Sequence, residues 1–346
     1  SLVTANTFYA SSMANPNLKW ESTTSWNAGM DLTFLKGRLS ASVDVYKKIT
    51  TDLLVSRELP SLLGYTSVMS NIGEVQNAGV ELSLNSTNIK MDKFSWRTSL
   101  NLAYNKNKIT HLYGIMEDVK DAEGNVIGQR EADDIKNQRF IGHDIDEIWG
   151  YKVVGIWQEE DREEAAKYGQ QPGDVHLLDK DLNYKYDNTD KEFQGTTMPR
   201  LRWSMRNDFT LFKNLTVSIN MYSYIGHKKA LGRFTNDNAL LNVTNQIKRD
   251  YWTPENRNNE YPRLANKKPA GVSYSIYKNA SFLRFDNISV GYTFPKKLIQ
   301  PLRIQNLNVN ATMKNAGYIS GWPGYDPENS DSNTPRVIYF GINLTL

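Results

Sequence analysis

The feature of this sequence that most restricts its fold is a strict alternation of apolar and polar side chains. Between Arg336 and Leu346 every second residue is apolar, and the residues between them are mostly polar or small. The same alternation recurs near residues 25–34, 39–46, 78–84, 96–105, 215–222 and 307–313. Because successive side chains of an extended chain point to opposite sides, each stretch is expected to form a β-strand with one apolar and one polar face.

The length of these stretches indicates where the strands lie. Runs of about 10 to 17 residues are long enough for a tilted strand to cross a bilayer, whereas soluble sandwiches have shorter strands. Connections are short near 35–37, 85–93 and 211–214, and they are long and polar at 57–70, 111–134, 159–197, 227–280 and 319–335. The pattern predicts an all-β fold, an antiparallel transmembrane β-barrel with short periplasmic turns and long extracellular loops. A large soluble β-sandwich or propeller is the alternative.

Composition excludes several other classes of protein. The chain has 346 residues, no cysteine, and 41 basic against 38 acidic residues. The lack of cysteine excludes disulfide frameworks, thiolate catalysis and cysteine-ligated zinc, and the balanced charge gives no basic surface for nucleic acid. No apolar run is long enough for a transmembrane helix. No nucleophile elbow, P-loop or dinucleotide fingerprint occurs, so the sequence does not predict an enzyme.

Counting strands by direction predicts an incomplete barrel. Strands at 20–35, 38–55, 71–86 and 94–109 alternate in direction, as do those at 198–211, 214–226, 281–295, 303–318 and 336–346. A strand at 147–158 leaves two neighbours running the same way unless another lies at 133–141, which brings the count to about 11. Single-chain bacterial barrels have an even number of strands, so residues 1–346 are expected to be the C-terminal part of a larger barrel.

Motifs in order along almost the whole chain carry a family resemblance. They lie at 15–21, 44–47, 52–54, 71–82, 101–109, 172–174, 282–285, 288–295, 324–328 and 340–344. Together they resemble the SusC/RagA family of TonB-dependent outer-membrane transporters of Bacteroidetes. The resemblance implies a barrel of about 22 strands, with about the last 11 in this chain. It also implies that the plug domain and N-terminal strands are absent from residues 1–346. The chain ends in Leu346 where the family usually has Phe.

The resemblance implies a function for the whole protein. That function is TonB-dependent import of a nutrient, a glycan or oligosaccharide or a peptide, across the cell outer membrane. The implied partners are a SusD-like surface lipoprotein, the TonB complex, which would act through the N-terminal part, and outer-membrane lipid. No nucleic acid and no required cofactor are implied. An outer-membrane barrel that binds or cleaves ligands at the surface without import is the alternative.

An acidic stretch at 179–190 has the spacing of a calcium-binding loop. Oxygen-bearing side chains stand at positions 1, 3, 5, 9 and 12, with a backbone carbonyl at position 7, as in an EF-hand. The residues are Asp179, Asp181, Asn183, Lys185 through its carbonyl, Asp187 and Asp190. Tyr184 replaces the glycine expected at the sharp turn, and Asp190 replaces a longer glutamate. The stretch predicts a Ca²⁺ site, with a solvated acidic loop as the alternative.

Aromatic residues form two groups. Those near strand ends, such as Tyr46, Trp96 and Tyr292, are expected in the interfacial girdles of a barrel. Those in or beside the long loops can stack on sugar rings, clamp a peptide or simply pack, and they are Trp149, Trp157, Tyr251, Trp252, Tyr274 and Trp322. The long loops together are expected to offer a broad mixed-charge surface to the lipoprotein.

Overall fold

The computed structural model describes residues 12–58, 67–71, 73–231, 250–264, 266–329 and 332–346. Parts of the loops predicted at 57–70, 227–280 and 319–335 lie outside these residues. Within them, no helix is long and apolar enough to cross a membrane. In the described residues the helices are α1 (Arg162–Lys167) and α2 (Lys296–Ile299), with 3-10 turns at Leu35–Gly37, Glu159–Asp161, Asn188–Asp190 and Gln300–Leu302. The strands are β1 (Ser12–Met13), β2 (Ser22–Phe34), β3 (Leu39–Thr51), β4 (Leu54–Glu58), β5 (Ser67–Asn71), β6 (Glu74–Lys90), β7 (Phe94–His111), β8 (Met116–Lys120), β9 (Val126–Glu131), β10 (Glu147–Tyr151), β11 (Val153–Ile156), β12 (Val175–Leu177), β13 (Lys191–Thr196), β14 (Leu201–Leu211), β15 (Leu215–Ile225), β16 (Lys228–Ala230), β17 (Tyr277–Asn279), β18 (Phe282–Thr293), β19 (Asn306–Ser320) and β20 (Val337–Thr345).

Nine of the strands form one sheet, in the order β2-β3-β6-β7-β14-β15-β18-β19-β20. The pairs that join β14, β15, β18, β19 and β20 are antiparallel. The end strands β2 and β20 are not paired with each other in the part of the chain that is described. The remaining strands form sheets of two or three. The antiparallel all-β fold predicted from the alternation is confirmed.

The predicted count of sheet strands is wrong. Residues 133–141 form a turn, in which Asp134 and Arg139 make an isolated bridge. Residues 147–158 do contain β10 and β11, but these strands pair with β13 and β12 and not with the large sheet. The neighbour of β7 is therefore β14. The strand at 133–141 was predicted only because 147–158 was counted as a sheet strand. Removing both strands from the count leaves the directions of the other nine strands alternating.

The chain divides into two compact units. One comprises residues 1–31, 42–81 and 104–145, and the other comprises residues 32–41, 82–103 and 146–346. In the first unit Tyr46 lies across Gly79, where an added Cβ would come within 2.5 Å of the tyrosine oxygen. The hydroxyl group of Tyr46 donates to Asn105 Oδ1 at 3.0 Å. Tyr46 therefore lies on the polar face of its strand, and its predicted place in a lipid-facing girdle is wrong.

In the second unit, the strand registers collect apolar residues on one face and polar residues on the other. One transverse row consists of Phe209, Val217, Val290, Ala311 and Phe340. The adjacent row, on the opposite face, consists of Asp208, Ser218, Ser289, Thr312 and Tyr339. Ser218 donates to Asp208 at 2.5 Å within the polar row. Such a sheet suits a barrel wall, with the apolar face toward lipid and the polar face toward the lumen.

The short connections of the second unit meet along one edge of the sheet. The amide of Phe212 donates to the carbonyl of Lys93 at 2.7 Å, which joins the turn after β14 to the turn before β7. The Lys213 ammonium lies 2.5 Å from an Asp92 carboxylate oxygen at the same place. The amide of Thr293 donates to the carbonyl of Asn214 at 2.9 Å. The predicted rim of short turns is confirmed for these strands.

The second unit also has its hydrophobic core in its long loops. The buried members of this loop core are Tyr151, Ile156, Val175, Leu177, Leu231, Trp252, Ile276, Ala280 and Trp322. They come from β10 to β12 and from the connections that follow β15 and β19. A single sheet between lipid and lumen has no second layer to pack against, so the loops bury their apolar residues against one another. The loops therefore form a packed layer, and this layer holds the candidate site.

The last strand carries the alternation to the end of the chain. Phe340 is 80% exposed and Ile342 is 73% exposed, because β20 is an edge strand whose one sheet neighbour in the described chain is β19. Ile338 and Leu344 share that face and pair with the apolar residues Met313 and Leu307 of β19. The face predicted from the sequence is confirmed.

An arginine at Phe340 should destabilise the protein in membranes. The substitution Phe340→Arg places a charge on the lipid-facing side of β20 and should cost about 2–4 kcal/mol if the site lies near the bilayer midplane. The control is Asn343→Arg, three residues away on the polar face, which pairs with Asn308. Urea unfolding in lipid vesicles measures the free energy of unfolding. Equal losses for both variants would contradict the assignment of faces.

Candidate functional site in the loop layer

Three of the predicted calcium ligands converge in the loop layer. Asp179, Asp181 and Asp190 each offer a carboxylate oxygen, and these oxygens lie within 4.8 Å of one another. Asp179 is 7% exposed and Asp190 is fully buried, whereas Asp181 is exposed. A hard cation prefers several such oxygens at close range. The cluster thus offers three oxygen ligands of the type that calcium prefers, and the exposed Asp181 leaves one side open to solvent.

Local hydrogen bonds hold the two buried carboxylates in place. Asp179 accepts bonds from the amides of Leu182 at 2.8 Å and Tyr184 at 2.9 Å. Asp190 accepts bonds from the amides of Lys180 and Asp187, both at 2.9 Å. Because backbone donors fix both ends of the loop, the carboxylates are positioned by the fold.

The pKa values of two carboxyl groups in the cluster are shifted in opposite directions. Burial alone would raise the pKa of Asp179, but the hydroxyl of Tyr168 and the amides of Tyr184 and Leu182 outweigh burial and lower that pKa. Desolvation, followed by the neighbouring Asp179 carboxylate, raises the pKa of Asp181. Two carboxylates at close range disfavour each other's ionisation, and a bound divalent cation would relieve that repulsion.

The sharp turn of the loop forms without the glycine of an EF-hand. Tyr184 adopts φ of 63° and Leu182 adopts φ of 55°, both in the left-handed region. Each residue in this region costs about 1–2 kcal/mol unless a local contact offsets it. The amides of both residues donate to Asp179, which supplies that contact.

The other predicted ligands have different local partners. Asp187 accepts bonds from the amide and the hydroxyl of Thr189, both at 2.7 Å, and so caps the short 3-10 turn at Asn188–Asp190. The Asn183 side-chain oxygen accepts a bond from the Lys185 amide at 2.7 Å. Asn183 also donates to Asp181 at 2.8 Å. The calcium loop therefore stays a prediction, centred on the three converging carboxylates.

A stack of aromatic rings packs beside the acidic cluster, and sequence reasoning did not identify it. Trp157 stacks on His176 at 3.5 Å between ring centroids, and it lies 5.7 Å from Tyr168. Tyr168 stacks on Tyr186 at 5.1 Å and donates its hydroxyl proton to Asp179 at 3.0 Å. Burial, followed by the bond to Asp179, raises the pKa of Tyr168 well above its usual range. The stack joins the acidic loop to the loop core.

The sequence left open whether the aromatic residues of the long loops contact a ligand or pack inside the protein. The structure answers this question for several of them. Trp157, Trp252 and Trp322 are 3%, 5% and 7% exposed, so they pack in the loop layer and offer no ring face to a ligand. Tyr251 remains 38% exposed. The tryptophans contribute to the site by fixing the loops that carry it.

A buried carboxylate in one of the family-like motifs ties distant loops together. Asp174, at the end of the 172–174 motif, is fully buried. It accepts bonds from Arg263 Nε at 2.7 Å and from the Lys267 amide at 2.8 Å, across 89 and 93 residues of sequence. The loop that carries the acidic cluster is thereby fastened to the loop after residue 250.

Comparison with known proteins decides the family. A family model for TonB dependent receptor-like β-barrels matches residues 3–316. The chain belongs to this TonB-dependent receptor family. Its location is the outer membrane, as predicted, and the family is one of receptors and transporters rather than of enzymes.

Individual relatives agree with this assignment. The chain is 30% identical to TonB-dependent receptor SusC of Bacteroides thetaiotaomicron, over 99% of this chain and 34% of SusC. It is also 30% identical to TonB-dependent receptor P3 of Formosa agariphila, over 95% of this chain and 33% of P3. The predicted resemblance to the SusC/RagA type is confirmed. The chain spans about a third of the length of these relatives.

A solved structure shares the fold. The RagAB peptide transporter superposes on 96% of this chain with a TM-score of 0.70 and 21% sequence identity, and the match covers 36% of that transporter chain. At this identity the similarity establishes the fold alone.

Calcium should stabilise the loop layer through the three converging carboxylates. At about 100 times its dissociation constant, the ion should add about 2.7 kcal/mol to the free energy of unfolding. The variant Asp190→Asn should lose this effect. The matched control Asp187→Asn should retain it, because Asp187 caps the short turn instead. Thermal unfolding of the full-length receptor with calcium or with a chelator measures the effect. An identical calcium shift in Asp190→Asn and wild type would contradict the site.

Proposed function

We propose that the protein to which this chain belongs imports a nutrient across the outer membrane by TonB-dependent transport, together with a surface lipoprotein. The observation that carries the proposal is the combination of a receptor-family match over residues 3–316 with a packed loop layer on the same chain. A simple pore needs only short connections between strands. Loops that share a core are suited to holding a ligand or a partner in fixed geometry.

The proposed substrate is an oligopeptide or an oligosaccharide. The structural neighbour RagAB is described as a peptide transporter, which supports a peptide. The resemblance to the SusC-like family supports a glycan as well. Exposed rings in the loop layer suit either class, since Tyr184 and Tyr251 are 42% and 38% exposed. Aromatic rings stack on the apolar faces of sugars and on peptide side chains alike.

The proposed partners are a SusD-like lipoprotein on the loop layer and the TonB complex, reached through a part of the protein outside residues 1–346. Exposed apolar side chains in the loops support the first partner, because Leu182 is 71% exposed and Met198 is 48% exposed beside the polar surface. Protein interfaces commonly place such anchors within a polar rim.

Uptake measurements test the transport proposal. Cells that express the full-length receptor are offered two fluorescent probes, a pool of oligopeptides and a pool of oligosaccharides. Periplasmic uptake of one pool should fall to the level of the receptor-deletion strain when TonB is inactivated. Surface binding of that pool should remain. Receptor-dependent binding in wild-type cells without any internalisation would favour the barrel that binds without import.

Affinity purification tests the partner in the same strain. The full-length receptor, purified from native membranes, should bring down one abundant surface lipoprotein. Leu182→Glu should weaken that recovery, whereas Phe212→Glu should not. Phe212 is a matched control because it is 70% exposed and lies in the short turn after β14, at the end of that strand away from the long loops. Repeated recovery of the receptor alone would contradict the partnership.

A further inference from the structure

The connection between β19 and β20 turns back onto the polar face of the sheet. Tyr222, Arg284 and Tyr318 form one transverse row on that face. The hydroxyl of Tyr222 donates to Glu328 at 2.6 Å, and the hydroxyl of Tyr318 donates to the Tyr325 carbonyl at 2.5 Å. We call residues 325–329 the inner segment. Sequence reasoning placed the whole connection at the outer rim, but these contacts lay the inner segment against the wall of the lumen.

Arg284 is the centre of this attachment. Its side chain is 3% exposed, and Nη2 lies 2.5 Å from an oxygen of Asp326, whose side chain is 1% exposed. Nη1 donates to Asn315 at 2.5 Å, and Nε lies 3.3 Å from Glu328. The guanidinium carbon also lies 5.3 Å from the centre of the Tyr318 ring. One side chain thus joins β18, β19 and the inner segment.

Asp326 shapes the inner segment as well as anchoring it. The carboxylate that meets Arg284 also accepts bonds from the amides of Glu328 at 2.8 Å and Asn329 at 3.2 Å. Its second oxygen accepts the Thr334 hydroxyl at 2.9 Å. The segment is also held near Glu328, whose carbonyl accepts a bond from the Lys229 ammonium at 2.7 Å, and Trp322, three residues before the segment, is buried in the loop core.

The strands are irregular at the level of this attachment. The β18–β19 register shifts between Phe285 and Asn287, and Asn315 on β19 adopts φ of 51°. Asn315 bonds Arg284 on one side and the Thr334 carbonyl, at 2.6 Å, on the other. A β-bulge redirects a side chain that a regular strand would aim elsewhere. The bulge therefore serves to bring Asn315 to the connection.

The charge pair between Arg284 and Asp326 is buried on both sides. Separating the two side chains would leave a buried charge without its partner, which is strongly unfavourable. The pair therefore resists separation of the inner segment from the wall. Motion of the inner segment away from the wall would break the pair and four neighbouring contacts together. Arg284 and Asp326 also lie in the two motifs 282–285 and 324–328, whose roles the family comparison leaves open.

We propose that the inner segment is a fixed constriction of the lumen and that Arg284 is the positioning residue that clamps it to the wall. The segment narrows the path along the polar face at the extracellular end of β15, β18 and β19. It is part of the wall and does not swing during the passage of a solute. The proposal concerns the barrel itself, and its test needs neither a substrate nor TonB.

Thiol accessibility by reagent size tests the proposal. This chain has no cysteine, so Asn329→Cys introduces a single thiol into it at an exposed position of the inner segment, and any thiol elsewhere in the full-length receptor is replaced by serine. A small methanethiosulfonate reagent should modify the thiol readily, whereas a large PEG-maleimide should react slowly because the lumen excludes it. Adding Arg284→Met should release the segment and raise the PEG-maleimide rate by at least about tenfold.

The matched control is Arg206→Met. Arg206 lies on the same polar face, and its ion pair with Asp208 at 3.0 Å stays within one strand and holds no connection. This control should leave the PEG-maleimide rate unchanged. Equal rates for the parent and the Arg284→Met protein would overturn the proposal, as would an equal rise in the Arg206→Met protein.

Hydrogen exchange provides a second measurement that a general loss of stability does not imitate. In the full-length receptor, Arg284→Met should speed exchange of the Glu328 and Asn329 amides, which donate to Asp326, and leave the strand amides of β14 protected. If Arg284→Met does not assemble, Asp326→Asn removes the same charge pair with little change of shape and should give the same pattern. Unchanged exchange at both amides in an assembled variant would overturn the proposal.

Discussion

A peptide group inside a bilayer has no water to bond to, and the rest of this structure depends on that constraint. Only the neighbouring strand can satisfy each N–H and C=O group, so the strands must be long and must stay paired across the membrane. The nine-stranded sheet meets this requirement between its edges. The same constraint applies to the outer edges of β2 and β20, and we propose that strands outside residues 1–346 pair with them in a larger barrel.

Because the wall is a single sheet between lipid and lumen, apolar packing moves to the loops. Trp157, Trp252 and Trp322 are buried there although all three stand in connections. Buried polar pairs such as Asp174 with Arg263 then fix the order in which the loops pack. The acidic cluster at Asp179 and the inner segment at Asp326 both depend on this layer. The membrane constraint thus places the packed core of the second unit, and the two features that depend on it, in the loops.

The sequence predicted those features that follow from the alternation of apolar and polar residues along a strand. The lipid face of β20, with Phe340 and Ile342, follows directly from the period of two, and so does the strand order of successive long runs. The convergence of Asp179, Asp181 and Asp190 was also predictable, since the three residues lie within one short stretch of sequence. Asp187 also accepts a bond from the Thr189 amide, a local use of its carboxylate that the spacing alone does not reveal.

The sequence did not predict what depends on distant partners. Residues 147–158 do contain strands, but no local pattern shows that β10 pairs with β13 instead of joining the large sheet. Arg284 and Asp326 are 42 residues apart, and Asp174 and Arg263 are 89 residues apart. Tyr46 resembles a girdle residue until Gly79 shows the space that its ring occupies. Such pairings become visible only when the registers of the strands are known.

Spin labelling along β15 tests whether the side chains of one strand alternate between lipid and lumen. Single nitroxide labels at each residue from 215 to 225, in the full-length receptor in lipid, report collisions with oxygen and with a water-soluble nickel complex. We expect a period of two, with oxygen maxima at Val217, Ile219 and Met221 and nickel maxima at Thr216, Ser218 and Asn220. Uniform exposure to either reagent, or maxima at the opposite residues, would contradict it.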